Sequence, residues 1–228
     1  MKTLGIIGGM GPLATVDLFG KIVNQTEANS DNDHIHILID NNTSIPDRTS
    51  YILGKGRNPI GEIVSSAIKL ENMGADFLVM PCNTAHYFYN DIIKNISIPF
   101  LNMIDETAKY ILNNNTNTKK VGLLSTTGTI QAKVYDNIFE KYNIEVVKPE
   151  TKYQQVIMNL IYGIKKGEKK FDMDEIYTVL NHLKEKEVEC IILGCTELPV
   201  AFEMLNIEGE YIDPTYVVAR ACVRKAII

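Results

Sequence analysis

The 228-residue sequence predicts an α/β fold of two pseudo-symmetric lobes, each a parallel sheet flanked by helices, with the functional site in the cleft between them. Short apolar runs alternate with segments of helical periodicity, which is typical of parallel sheets joined by right-handed crossovers. The pattern also occurs twice. The offset from Gly5 to Gly122, within two similar strand-and-turn segments, nearly equals the offset from Cys82 to Cys195, which follow two similar strands. One duplicated unit explains both offsets.

The first apolar run, residues 3–7, predicts a buried strand that leads into a glycine turn at residues 8–11. Pro12 suits the first turn of a helix. The apolar residues that follow recur at helical spacing: Leu13, Val16, Phe19, Ile22 and Val23. A turn at a helix N-terminus offers N–H groups to an anion. The glycine spacing matches neither a phosphate loop nor a dinucleotide fingerprint, so it favours a carboxylate over a nucleotide.

The second strand, residues 35–39, ends in a long polar loop at residues 40–49. This loop carries Asp47 and Arg48 at the carboxyl end of a strand, where binding groups often lie, so it is a candidate substrate loop. A surface turn with a solvated arginine is the alternative. An amphipathic helix then ends near Gly74, and its apolar face comprises Ile60, Ile63, Val64, Ala67 and Ile68.

The third strand, residues 77–80, must end near Pro81, because proline has no N–H for a sheet. Cys82, Asn83 and Thr84 therefore fall just beyond the strand, where open α/β sheets bind ligands. A buried cysteine is more often a packing residue than a chemical one. A second copy of the pattern favours a chemical role, because the predicted strand at 188–193, apolar except for Glu189, leads again into a small residue, Cys195 and a threonine.

The polar stretch at residues 112–119 predicts a connection between the halves. We therefore expect an N-terminal lobe at 1–112, completed by the C-terminal segment 207–228, and a second lobe at 113–206. A capping box at Asp172 and Glu175 predicts a helix start. The second lobe's helical faces are Ile130, Val134, Ile138 and Phe139, followed by Ile176, Val179, Leu180 and Leu183.

Composition narrows the function classes. A net charge of −5 without a dense basic block argues against a nucleic-acid partner. No apolar stretch reaches the roughly 18 residues that span a membrane, and the first residues lead directly into a strand, so we expect a cytoplasmic protein without a membrane partner. The four cysteines show no zinc-type spacing and predict no metal site. Cys190 and Cys222 lie in apolar or helical patterns that indicate packing.

Two facing lobes would bring Cys82 and Cys195 to opposite walls of the cleft. Such a pair suits proton exchange at a carbon, because one thiolate removes a proton from one face while the other thiol delivers one to the opposite face. The ordinary thiol pKa of about 8.5 is close enough to neutral for both forms to be accessible. Neither step requires a metal or an organic cofactor.

At this point the sequence resembles the cofactor-independent aspartate/glutamate racemase superfamily, most closely its aspartate racemase branch. The resemblance covers essentially the whole chain. It rests on five segments: Gly-Ile-Ile-Gly-Gly-Met-Gly-Pro at 5–12, Ile-Pro-Asp-Arg-Thr at 45–49, Met-Pro-Cys-Asn-Thr-Ala-His at 80–86, Ile-Tyr-Gly-Ile-Lys at 161–165 and Leu-Gly-Cys-Thr-Glu-Leu-Pro at 193–199.

The resemblance implies racemisation of aspartate, or also of glutamate, with Cys82 and Cys195 as the acid/base thiols and with no cofactor. It implies that the α-carboxylate and ammonium are held by Asn83, Thr84 and Thr127, helped by the backbone near Met10 and Gly11. Arg48 and Lys165 would bind the side-chain carboxylate, with the adjacent Lys166 as an alternative. The resemblance also implies a homodimer whose ligand is a small acidic amino acid.

Two departures from glutamate racemases concern the groups that assist the thiols. The chain has Gly8-Gly9-Met10 where those enzymes carry Asp-Ser-Gly, and Glu197 where they carry histidine. Glu197 is therefore expected to take part of that role, and the differences favour aspartate. The alternatives are a related isomerase acting on maleate, homoserine or a hydantoin, and a non-catalytic carboxylate-binding protein. A Cys82–His86 hydrolase is disfavoured, because the second copy has Pro199 in place of His86.

Overall fold

The computed structural model describes residues 1–227 and confirms the α/β prediction. In the first sheet, β1 (Leu4–Gly8) lies between β2 (Ile37–Asn41) and β3 (Phe77–Val79), and both pairings are parallel. Five helices belong to this half of the chain: α1 (Pro12–Gln25), α2 (Arg48–Ile52), α3 (Ile60–Asn72), α4 (Tyr89–Ile93) and α5 (Met103–Asn114). Short 3₁₀ helices occupy Asp31–Asp33 and Thr84–Phe88.

The second sheet repeats this arrangement. Its central strand β4 (Lys120–Ser125) lies between β5 (Glu145–Val147) and β6 (Cys190–Gly194), and β7 (Tyr211–Ile212) pairs with β6, all in parallel. The first sheet has a counterpart of β7 in a parallel bridge between Leu78 and Phe100. The remaining helices are α6 (Thr127–Gln131), α7 (Asp136–Phe139), α8 (Thr151–Lys165), α9 (Met173–Glu185), α10 (Glu197–Met204) and α11 (Pro214–Ile227), with a 3₁₀ helix at Glu140–Tyr142. We call the half that contains β1 the first lobe and the half that contains β4 the second lobe.

The central strands of both sheets are buried on their two faces, as their continuous apolar runs predicted. In β1, Leu4 and Ile6 join one apolar cluster, whereas Ile7 joins the cluster on the opposite face. In β4, Leu123 and Leu124 divide in the same way between two clusters. Each fully buried aliphatic side chain contributes about 1.5–3 kcal/mol to stability. The strand ends that carry Cys82 and Cys195 therefore stand on rigid scaffolds.

The C-terminal segment serves both lobes. α11 packs against α1 and α5 of the first lobe. Within the same predicted segment 207–228, however, β7 belongs to the edge of the second sheet. The chain thus crosses from the second sheet back to the first lobe after Ile212, later than residue 207. The lobe boundaries at 1–112 and 113–206 stay predictions.

Two helical patterns differ from their predictions. The single helical face at residues 130–139 is interrupted, because Lys133 adopts φ 51° and separates α6 from α7. In α1, the structure buries Ala14, Leu18 and Ile22 but leaves Leu13 and Val16 largely exposed, at 68% and 66%. Ile22 is therefore the only fully buried member of the predicted apolar stripe. Spacing identified the helix correctly but not its inner face.

Within residues 1–227, no helix combines the length and the apolar character that crossing a membrane would require.

Candidate active site

The two cysteines that the sequence singles out line one inner cavity between the lobes. Cys82 lies three residues beyond β3, and Cys195 directly follows β6, the equivalent strand of the second sheet. Both are buried, with 6% exposure each. The cavity wall is completed by the apolar Met10 and by polar and charged side chains from both lobes: Asp47, Arg48, Thr49, Asn83, Thr84, Thr126, Lys165, Thr196 and Glu197.

The inner cavity is nearly closed. Its volume of about 10 Å³ is room for one water molecule. An outer pocket of about 400 Å³ adjoins it, and Met10, Arg48, Lys165, Thr196 and Glu197 line both spaces. These shared residues lie where the two spaces meet. An amino acid is larger than the inner cavity, so it can bind beside the thiols only if the surrounding side chains or the lobes move apart.

Glu197 interacts directly with the second thiol. Cys195 Sγ donates to Glu197 Oε2 over 3.0 Å, and Lys165 Nζ lies 3.8 Å from Glu197 Oε1. Burial raises the pKa of Cys195 well above its ordinary value, the negative charge of Glu197 raises it further, and Lys165 opposes the rise. Burial alone would lower the pKa of Lys165, but the charges of Glu197 and the cysteines raise it. At neutral pH Cys195 is therefore a protonated thiol and Lys165 a cation.

These charges predict the effect of Glu197→Gln on Cys195. Removing the carboxylate removes a cause of the raised pKa while Lys165 still favours the thiolate, so we expect the pKa of Cys195 to fall. The pH dependence of iodoacetamide alkylation at Cys195, followed by peptide mass spectrometry, should shift to lower pH. Cys190 is an internal control, because its raised pKa of about 11 arises from burial and Glu189. If the pH dependence of Cys195 alkylation stays the same or moves to higher pH, this prediction is wrong.

Arg48 is a buried cation with no ion pair among residues 1–227. Its guanidinium donates to the carbonyls of Pro46 over 3.0 Å and Met10 over 3.1 Å, while Nε is buried without a partner. Burying a charge is costly unless an opposite charge compensates it. An anionic ligand in the cavity would supply that compensation. The alternative of a solvated surface arginine is wrong, because Arg48 is only 8% exposed.

Asp47 holds the start of this arginine's helix. Its side chain caps α2 by accepting the Ser50 N–H over 2.7 Å. Burial would raise the pKa of the Asp47 carboxyl, but the Ser50 hydrogen bonds and the charges of Arg48 and Lys165 outweigh burial and lower it. Asp47 is therefore ionised at neutral pH, which keeps the cap in place beneath Arg48.

A cluster of threonine hydroxyls joins the lobes at the cavity. Thr84 Oγ1 lies 3.1 Å from Thr126 Oγ1 and 2.9 Å from Thr129 Oγ1, and Thr49 Oγ1 donates to Thr126 over 3.4 Å. A Cβ added to Gly128 would meet Thr49 at 2.8 Å, so glycine allows the lobes to approach closely here. The closed cavity thus depends on small and hydroxyl-bearing residues at this contact.

His86 supports the Cys82 turn and is not its base. The Met103 N–H donates to His86 Nε2 over 3.1 Å, so Nδ1 carries the proton that is donated to the Cys82 carbonyl over 2.8 Å. Both ring nitrogens are therefore occupied by backbone groups. Burial lowers the pKa of His86 from 6.5 to about 4, so the ring is neutral at pH 7. A Cys82–His86 catalytic pair is incompatible with this arrangement.

The buried neutral His86 predicts an acid sensitivity. The unfolded chain binds a proton at this ring below about pH 6.5, whereas the folded chain does so only near pH 4. Stability is therefore complete above pH 6.5 and declines as pH falls toward 4, by about 3 kcal/mol for this group. Urea unfolding between pH 7 and 4 should show a shallower decline for His86→Gln. His36→Gln, at an exposed site, should keep the parental slope, and equal slopes for both variants would refute the assignment.

Eight of the ten site residues expected from the sequence line the inner cavity. Gly11 lies in the outer pocket. Thr127 lines neither space, and its N–H donates to Met158 Sδ over 3.2 Å. The preceding Thr126 takes the cavity position. Lys165 lines the cavity, whereas the alternative Lys166 does not.

Sequence reasoning also missed Thr196, which follows Cys195 as Asn83 follows Cys82. The duplication could have identified it, since equivalent residues of equivalent strand ends face the same cleft.

Comparison with known protein families gives a match that contains the residues of this site. Residues 7–222 match the Asp/Glu/Hydantoin racemase family. The chain belongs to this family. The matched range includes both cysteines and every other residue of the inner cavity. The resemblance expected from the sequence is thereby confirmed, and with it an isomerase of the amino-acid racemase class.

Relatives from this racemase family match nearly the whole chain. The broad specificity amino-acid racemase RacX of Bacillus subtilis is 30% identical over 96% of both chains. The aspartate racemase of Picrophilus torridus is 35% identical, with a TM-score of 0.85 over 99% of this chain and 94% of that one. A glutamate racemase of Francisella tularensis in complex with D-glutamate, 19% identical, has a TM-score of 0.69 over 99% of this chain and 81% of that one, and shares the fold.

Proposed function

We propose that the protein interconverts L- and D-aspartate by a two-base proton transfer between Cα and the thiols of Cys82 and Cys195. The observation that carries the proposal is the inner cavity itself. It presents one cysteine from each lobe together with Arg48, a buried cation that has no ion pair among residues 1–227. A substrate with two carboxylates and an exchangeable proton matches this set of groups.

In the proposed step, one thiolate accepts the α-proton and the opposite thiol donates a proton to the other face of the carbon. The electron pair left on Cα is delocalised into the α-carboxylate, which gains negative charge. Preorganised donors at that carboxylate stabilise the transition state. Asn83, Thr84 and Thr126 line the cavity and carry suitable donors. After turnover the two cysteines have exchanged protonation states, so the reverse reaction uses them in opposite roles.

The protonated state of Cys195 supports a proposal for the initial roles of the two thiols. Because Cys195 donates a hydrogen bond to Glu197, it is the thiol that supplies the proton in the resting site. Cys82 is then the group that removes the α-proton. Glu197 helps to restore Cys195 to its protonated form, and Lys165 lies beside this carboxylate, where it also binds the far carboxylate of the substrate.

Circular dichroism of L-aspartate incubated with the purified protein, without added pyridoxal phosphate, tests the proposal. We expect the signal to decay to zero, and D-aspartate to give the same end point. Glutamate, homoserine and maleate in parallel separate an aspartate racemase from a related isomerase. Saturable aspartate binding without any loss of optical activity would instead identify a carboxylate-binding protein.

A broader substrate range is the second candidate. The outer pocket is lined by the apolar Pro12, Leu13, Ile164 and Val200 next to the shared charged residues, so it can accept an apolar side chain. The relative RacX is named for broad specificity. Racemisation of methionine or leucine at rates comparable to aspartate would favour this reading over a dedicated aspartate enzyme.

A homodimer in the cytoplasm stays a prediction. Leu13, Val16 and Phe19, which are exposed at successive turns of α1, form an apolar surface that a second copy could cover. Light scattering at micromolar concentration would decide the oligomeric state, and a monomer there would contradict the prediction.

A further inference from the structure

A buried tyrosine of the second lobe contacts the site from behind the cavity wall. Tyr135 is fully buried and does not line the inner cavity. Its hydroxyl donates to Asn83 Oδ1 over 2.6 Å, and Asn83 belongs to the first lobe and lines the cavity. This hydrogen bond therefore joins the lobes at a residue that touches the space for the substrate.

Because of this contact, the two ends of the Asn83 amide differ in their hydrogen bonding. Oδ1 is occupied by Tyr135, whereas Nδ2 is buried and has no hydrogen-bond partner among residues 1–227. A buried amide nitrogen without a partner is costly, so a ligand acceptor in the cavity would relieve it. Burial raises the pKa of Tyr135 well above its ordinary value, so its hydroxyl keeps the proton that it donates.

Reversing the amide would disrupt both sides. The Tyr135 oxygen could then accept from Nδ2, but the Tyr135 proton would lose Oδ1, its only acceptor among residues 1–227. Oδ1 would point toward the cavity, where it would accept from an ammonium group and repel a carboxylate. Tyr135 therefore selects which end of an amino acid the Asn83 amide recognises.

We propose that Tyr135 is a positioning residue that fixes the Asn83 amide with its Nδ2–H donors toward the α-carboxylate of the substrate. The assignment rests on the proposed function and deepens it, because it states which end of the Asn83 amide faces the α-carboxylate and which residue holds it there. Asn83 thus recognises the carboxylate and not the ammonium, and the second lobe contributes to this recognition without touching substrate.

Two aspartate analogues distinguish recognition of the α-carboxylate from recognition of the ammonium group. The variant to be tested with them is Tyr135→Phe. Succinate lacks the ammonium group, and β-alanine lacks the α-carboxylate. Isothermal titration calorimetry should show succinate binding weakened about three- to tenfold in Tyr135→Phe, the range for one lost hydrogen bond, with β-alanine binding unchanged. The KM for aspartate should also rise. The midpoint of urea unfolding, measured separately, shows whether the variant has lost stability.

Tyr142→Phe is a matched control. Tyr142 also donates its hydroxyl to a side-chain oxygen, Asp105 Oδ1 over 2.7 Å, but lines neither the inner cavity nor the outer pocket. We expect it to leave both analogue affinities unchanged. If Tyr135→Phe weakens both analogues equally, weakens only β-alanine, or weakens neither, Tyr135 does not orient Asn83 as proposed.

Asn83→Asp provides a second test that keeps an acceptor for Tyr135. It replaces the Nδ2 donors by a carboxylate oxygen, so succinate should bind at least tenfold more weakly while β-alanine binding is retained or strengthened. Parental succinate affinity in this variant would overturn the inference even if Tyr135→Phe does not fold. Failure of the parental protein to bind succinate, β-alanine and aspartate would instead overturn the proposed function, and the inference with it.

Discussion

Replacing either Cys82 or Cys195 by serine is expected to abolish racemisation. Each thiol is assigned one proton transfer on one face of Cα, and a serine hydroxyl is far too weakly acidic to replace it. Loss of a positioned acid or base costs about 10²- to 10⁴-fold in rate. Polarimetry of aspartate should therefore show at least a hundredfold lower rate for each variant. Cys190→Ser is the matched control, because Cys190 is the first residue of the strand that Cys195 directly follows, and Cys190 does not line the cavity.

Proton exchange distinguishes a two-base mechanism from simple inactivation. In deuterium oxide, each single-cysteine variant keeps one base, so it should exchange the α-proton of one enantiomer without inverting it. The two variants should select opposite enantiomers. Full racemase activity in either variant, or exchange of both enantiomers by the same variant, would contradict the assignment of one thiol to each face.

The sequence was sufficient to predict the features that occur in both halves of the chain. The strand ends at Cys82 and Cys195 could be placed because continuous apolar runs, proline and the two similar copies all indicate the same positions. Equivalent strands in equivalent sheets then fix both residues near one cleft. The position of its loop made Arg48 a candidate, and the family resemblance added its role at a carboxylate and identified Lys165, which spacing alone does not assign to any site.

The sequence was insufficient to predict which of several neighbouring side chains points into the cavity or the core. Thr126 and Thr127 are adjacent, and only the geometry at the start of α6 shows that Thr126 joins the cavity cluster. In α1, apolar residues occupy both the inner and the outer surface, so periodicity could not select the buried face. Tyr135 could not be identified at all, because its contact with Asn83 joins two lobes at residues far apart in the chain.

The near-closed cavity was also beyond sequence reasoning. It results from the fit between lobes, including the close approach of Gly128 to Thr49, and from the Lys165–Glu197 contact within the second lobe. The Lys165–Glu197 contact also affects the surroundings of Cys195. A substrate carboxylate that binds Lys165 competes with Glu197 for the same cation, so substrate binding weakens the hold of Lys165 on the carboxylate beside Cys195.

Arg48→Ala should lower aspartate turnover severely and lower homoserine turnover much less. Homoserine carries a hydroxyl where aspartate carries its side-chain carboxylate, so only aspartate loses a charge contact. Truncation of one partner of a buried charge pair costs on the order of 2 to 4 kcal/mol, which predicts a loss of about 30- to 1000-fold in kcat/KM. Arg48→Lys should also be impaired, because lysine lacks the planar fork that binds a carboxylate through two hydrogen bonds.

Arg48 also donates to the carbonyls of Pro46 and Met10, so its removal disturbs the loop as well as the charge. The ratio of aspartate to homoserine turnover separates these effects, since loop disorder lowers both. Arg57→Ala, at an exposed arginine of the following loop, controls for the loss of one positive charge. Equal losses for both substrates would show that Arg48 supports the loop and does not bind the side-chain carboxylate.

Lys165→Ala is also expected to reduce the preference for aspartate over homoserine, with Lys166→Ala as its control. Lys165 lines the inner cavity next to Glu197, whereas the exposed Lys166 does not. Lys165 has one further effect that Arg48 lacks. Its charge opposes the raised pKa of Cys195, so its loss should raise that pKa further and move the alkaline limb of Cys195 alkylation to higher pH. Parental aspartate turnover in both Arg48→Ala and Lys165→Ala would remove the physical basis for a dicarboxylate substrate, because neither cation that lines the cavity would then recognise the second carboxylate.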